Sequence, residues 1–133
     1  MSYSFSTTVK GDFDSVENLV REKLQDRGFG VLTEIDVSAT LKKKIDKDLH
    51  PYKILGACNP GFAYQAILAE EKIGVMLPCN VLLQEKNLDE IEVSAVDPMA
   101  SMQAIQSEEL GQVANEVQGL LRQVILDISQ LDL

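Results

Sequence analysis

Tryptophan is absent from the sequence, and aromatic residues make up only 5% of it. That leaves no evident stacking platform for single-stranded nucleic acid. Basic side chains are scarce as well: 12 Lys and Arg stand against 21 Asp and Glu, a formal net charge of −9. The imbalance is uneven, because residues 1–48 hold 8 basic and 9 acidic side chains while residues 49–133 hold 4 and 12. Such a surface repels a phosphate backbone, so no nucleic-acid partner is expected. Lys42-Lys43-Lys44 with Lys47 is the local exception. It reads first as a solvated helix face, and second as a contact for an anion or an acidic partner.

Cysteine is nearly absent too. Cys58 and Cys79 are too few for a disulfide scaffold, and a reducing compartment would keep both as free thiols. No apolar run approaches the roughly 20 residues of a membrane-spanning helix, so no membrane partner is expected. The N-terminus has neither a basic start nor a continuous apolar stretch, which argues against a secretory signal and makes the cytoplasm the default location. Neither a Gly-rich dinucleotide fingerprint nor a P-loop occurs, and no motif names a cofactor. What remains is an average globular composition, 45% hydrophobic and 25% charged, over 133 residues, enough for a single domain spanning 1–133.

Periodicity supplies the elements. Tyr3, Phe5, Thr7 and Val9 alternate with Ser4, Ser6 and Thr8, the pattern of a strand with one buried face. Asp14 and Glu17 read as a capping box that opens a helix over about 14–27, with Val16, Leu19, Val20 and Leu24 inward and Gly28 as the stop. A second strand follows over 29–35, with Phe29, Val31, Thr33 and Ile35 on one side. Val37, Leu41, Ile45 and Leu49 then suggest a short amphipathic helix that His50-Pro51 ends. Residues 52–58 form a third strand. Asn59 at the N-cap and Pro60 at the first helical position open the next helix, through about Glu71. Residues 73–83 read as a strand broken near Pro78, and Ile91 to Val96 as the last strand. Asp97-Pro98 caps a short helix. From about Glu108 to Ile128 runs the longest helix, with Leu110, Ala114, Val117, Leu121, Val124 and Ile128 in one stripe. Gly111 and Gly119 inside it suggest a close backbone approach. The fold class is α+β: a curved, mostly antiparallel sheet covered on one face by helices.

One short pattern occurs twice, in Ala57-Cys58-Asn59-Pro60 and Pro78-Cys79-Asn80-Val81. At a helix N-terminus, partial positive charge favours a thiolate at Cys58. Asn59 and Asn80 hold turns or donate to a bound oxyanion. Burial of both cysteines as small hydrophobes is the competing reading. No metal site is assigned, because the single His50 lies roughly 25 Å from Cys58 along an extended strand. The same distance excludes a Cys-His nucleophilic pair. Glu90 and Glu92 share a strand face and belong to the surface. Met99 and Met102 read as core.

Across Tyr52–Pro60, Gly74–Val81 and the closing Asp97-Pro98, the chain resembles the domain-of-unknown-function family 302. The resemblance implies a β-α-β(4)-α core of TATA-binding-protein-like topology with short helical insertions, and association as a homodimer. It also groups Cys58, Asn59, Pro60, Pro78, Cys79 and Asn80 as one ligand-binding feature, without naming the ligand. Three functions stay open: a domain binding a small ligand or metal at these segments, a structural or interaction module acting as a homodimer, and a thiol-dependent redox enzyme.

Overall fold

A computed structural model describes residues 2–130. Five strands form one open sheet: β1 (Ser4–Lys10), β2 (Gly30–Asp36), β3 (Tyr52–Cys58), β4 (Cys79–Asn87) and β5 (Glu90–Val96), in the spatial order β1-β5-β4-β3-β2. Every pairing is antiparallel. The helices are α1 (Phe13–Asp26), α2 (Val37–Ile45), α3 (Pro60–Ala69), α4 (Pro98–Ser101) and α5 (Glu108–Ser129). Removing α2, α3 and α4 leaves β-α-β(4)-α, the expected core with its helical insertions.

Alternation explains the main core. Leu55 and Ala57 on β3, Val81 and Leu83 on β4, and Ile91, Val93 and Ala95 on β5 are buried and cross-strand partners share a face. Onto that face pack Val16, Val20 and Leu24 of α1 and Val117, Leu121, Val124 and Ile128 of α5. The α5 stripe read from the sequence is buried throughout. A smaller cluster, Ala66, Ile73, Met102, Leu110 and Ala114, joins α3 and α4 to the start of α5.

Several local expectations change. Asp12, rather than Asp14, caps α1, its carboxylate accepting from the Ser15 N–H at 2.9 Å. That frees Glu17, whose carboxylate accepts from Lys53 Nζ at 2.8 Å and Arg21 Nε at 3.0 Å. Burial pushes the Glu17 carboxyl up, but these two cations outweigh it and hold it below its usual range. In β2, the register slips between Val31 and Thr33. The extra residue, Leu32, turns the strand over, so Thr33 and Ile35 leave the side that Val31 shares with Ala57. α2 stops at Asp46 in a left-handed conformation, φ 53°, before His50-Pro51 is reached, and none of its residues is buried. Residues Glu71–Met76 form a 3₁₀ turn instead of strand, and β4 begins only at Cys79. Gly74 and Pro78 explain this, since neither suits a ladder. Met99 is exposed, whereas Met102 is core.

Among the described residues there is no close approach at Gly111 or Gly119: a Cβ at either position would meet nothing within 4 Å. Gly111→Ala and Gly119→Ala are therefore each expected to raise stability by about 1 kcal/mol, the helix-propensity difference, in urea unfolding. A loss of stability at either would show that the backbone there has a neighbour.

Candidate functional site

The two Cys-Asn segments meet because β3 pairs with β4. Ala57 lies opposite Cys79, and Gly56 opposite Asn80, at the end of the sheet where β3 leaves and β4 enters. Chain chemistry holds that junction in place. Asn59 is extended (φ −102°, ψ 107°), and its Oδ1 accepts from the Phe62 N–H at 3.4 Å while Pro60 occupies the first turn of α3. The same side chain lies against Gly28, whose φ of +86° turns the chain from α1 into β2; a Cβ on Gly28 would sit 3.0 Å from Asn59 Nδ2. Asn59 thus caps one helix and packs on the exit turn of another.

Gly56 is the second fixed point. A Cβ there would fall 2.1 Å from Thr33 Oγ1 and 2.6 Å from Pro78 Cγ. The absent side chain of Gly56 therefore lets Thr33 and Pro78 close over β3. The Leu77–Pro78 peptide is cis.

Between these segments and the helices lies a cavity of about 30 Å³, bordered by Ala57, Cys58, Asn59, Leu77, Pro78 and Cys79 on the sheet side. Phe62, Ala63 and Ala66 of α3, Met102, and Val113, Ala114 and Val117 of α5 close it, with Phe29 and Pro98 at its margins. About 30 Å³ is one water's share of liquid volume. No side chain of the lining carries a charge. Cys79 is buried and Cys58 half-buried, both as free thiols. Burial, with the Cys58 thiol nearby, pushes the Cys79 thiol up to about 11, so it is a neutral, weak donor at pH 7.

Of the six residues grouped from sequence, Cys58, Asn59, Pro78 and Cys79 border this cavity, whereas Pro60 and Asn80 do not. Asn80 is exposed and borders a second hollow of about 290 Å³, which it shares with Val75, Met76, Pro78, Cys79 and Ser101. The helix wall, Phe62, Ala66, Met102 and Ala114, was not grouped from sequence. Its one signal was small residues, Ala66 and Ala114, on buried helix faces. His50 sits at the other end of β3, its Nε2 2.9 Å from Gln84 Oε1. Glu92 accepts from Gln84 Nε2 at 3.1 Å, part of a polar row on the sheet face away from the core. Among the described residues no group of three or more His, Cys, Asp or Glu is arranged to hold a metal ion. Nor, among them, is any helix long and apolar enough to cross a membrane.

Comparison with known proteins gives two findings. A family model described as "Domain of unknown function DUF302" matches residues 5–128. The crystal structure of an "uncharacterized conserved protein DUF302 from Bacillus stearothermophilus" is similar at a TM-score of 0.88 and 22% sequence identity, covering 98% of this chain and 100% of that one. At that identity the likeness speaks to the fold. No curated protein matches.

Proposed function

This chain belongs to the DUF302 family, domains of unknown function, and we propose that within that fold it is a binding module for a small, uncharged ligand held between its two Cys-Asn segments. The observation that carries this reading is that Cys58-Asn59 and Pro78-Cys79 border one apolar cavity closed by α3 and α5. An ion entering it would shed its hydration with no counter-charge in the lining, which costs several kcal/mol. The terminal methyl group of an uncharged ligand meets no such penalty, and about 30 Å³ admits a group of that size and not a whole molecule of several heavy atoms. The neutral Cys79 thiol also favours binding over thiolate chemistry at that sulfur.

Dimethyl sulfide is a suitable probe because one of its methyl groups, close to water in size, can enter a cavity of about 30 Å³ while the rest of the molecule stays at its mouth. Titrated into the native protein, it is expected to shift the methyl resonances of Ala66, Met102 and Ala114 saturably, and those of Val9 and Ile91, deep in the sheet core, far less. Alkylation of the native protein should modify half-buried Cys58 before buried Cys79, and the probe should slow it. Absence of any saturable shift at the three cavity methyls would remove this reading.

A further inference from the structure

One donor on the cavity rim is left over by the fold. Among the side chains that border the cavity, Asn59 alone carries an amide, a hydroxyl or a charge. Its Oδ1 accepts from the Phe62 N–H, which fixes the orientation of the amide and leaves Nδ2 on the other side. Among the described residues Nδ2 meets no acceptor within hydrogen-bond distance, and no unpaired side-chain N or O atom is sealed from solvent. This donor is therefore both unpaired and reachable. Room lies beside it. A Cβ on Gly28 would sit 3.0 Å from Nδ2, and apart from Gly28 and its chain neighbours only Asn59 comes within 4 Å of that place. Cys58, Asn59 and Phe62 are half-buried whereas Ala66, Met102 and Ala114 are buried, so the cavity opens beside the start of α3. The N-terminus of that helix adds partial positive charge to the opening.

We infer, on the reading that this cavity holds an uncharged ligand, that the group it takes is an acetyl: the methyl enters the cavity and the carbonyl oxygen accepts from Asn59 Nδ2. The two halves of that group answer two requirements of one place. About 30 Å³ admits a methyl and little more. An apolar group laid over Nδ2 would strip the donor of its bond to water without replacing it. A carbonyl oxygen, two bonds from the methyl carbon, replaces that bond and orients the ligand, as a single polar group does in an otherwise apolar pocket. The sulfurs of Cys58, Cys79 and Met102 are weak hydrogen-bonding groups, so none competes with the amide for the carbonyl. Acetate has the same methyl, but its charge finds no counter-charge in the lining.

Three probes test this by NMR titration. Acetone and N-methylacetamide carry the acetyl as a ketone and as an amide, and dimethyl sulfide brings a methyl with only a weak acceptor. All three should shift the methyl resonances of Ala66, Met102 and Ala114. Only the two acetyl compounds should also move the side-chain NH2 resonances of Asn59, and the tighter of them tells ketone from amide. Asn59→Asp keeps the oxygen that caps α3 and removes the donor; Asn59→Ser also caps and adds no charge. In each variant, affinity for the acetyl compounds is expected to fall about tenfold further than affinity for dimethyl sulfide, the size of one hydrogen bond. Equal losses for all three probes would overturn the acetyl assignment and leave the cavity reading standing. So would an Asn59 NH2 signal that stays in place while acetone moves the cavity methyls. No saturable shift with any of the three would remove both.

Discussion

Leu121→Ala is expected to cost about 2–5 kcal/mol of folding stability, a large share of the roughly 5–15 kcal/mol available to a domain. Leu121 is fully buried in the main cluster, where α5 meets the sheet. Truncation removes favourable transfer of the side chain and leaves a hole that rigid strands on one side cannot fill. The measurement is a urea unfolding curve, in which the midpoint should fall while the slope stays constant. Leu126 is the control. It lies five residues along the same helix and is exposed, so Leu126→Ala should stay within about 0.5 kcal/mol of wild type. Equal losses at both positions would mean that α5 is not seated as described.

Gly56→Val is expected to rival that loss by the opposite mechanism, too much volume in place of too little. Even alanine places an atom 2.1 Å from Thr33 Oγ1 and 2.6 Å from Pro78 Cγ, both well inside contact distance. The hydroxyl can rotate away, but the proline ring is tied to its own backbone and must take the end of β4 with it. Gly56→Ala should therefore cost about 1–3 kcal/mol, as overpacking generally does, and valine more. Adding Thr33→Ala to Gly56→Ala should recover only part, because Pro78 remains. Full recovery would show that the ring gives way freely. A Gly56→Ala protein within about 0.5 kcal/mol of wild type would show that Thr33 and Pro78 do not close over β3.

The contrast between these two sites bears on what could be read in advance. Leu121 belongs to a 3.6-residue stripe, and such a stripe is written in one stretch of chain. The Asn59-Pro60 and Asp97-Pro98 helix starts are equally local, and both cap as expected. Gly56 is different. Its need for an empty position arises from β2 on one side and the entrance to β4 on the other, neither of which its own segment specifies. The Leu32 bulge is hidden for the same reason: Phe29, Val31, Thr33 and Ile35 alternate without interruption, and only pairing with β3 shows that one residue is extra. Ile73 to Met76 is apolar enough for a strand, yet it folds as part of a 3₁₀ turn in which Ile73 enters a core cluster while Val75 and Met76 stay exposed. At the site, the repeated Cys-Asn pattern was visible, but the wall that α3 and α5 add was not. Periodicity shows that a helix face is buried without showing which surface it is buried against.

The pairing of β1 with β5 has a consequence for how the molecule is made. Ser4 stands opposite Val96 and Lys10 opposite Glu90, so of the five strands of this sheet the first to be synthesised joins it through the fifth. Until then β1 has no ladder partner, and closing so long a loop must precede any return from the contacts it brings. A nascent chain that stops short of β5 leaves β1 without a ladder on either edge, which opens the growing polypeptide to aggregation.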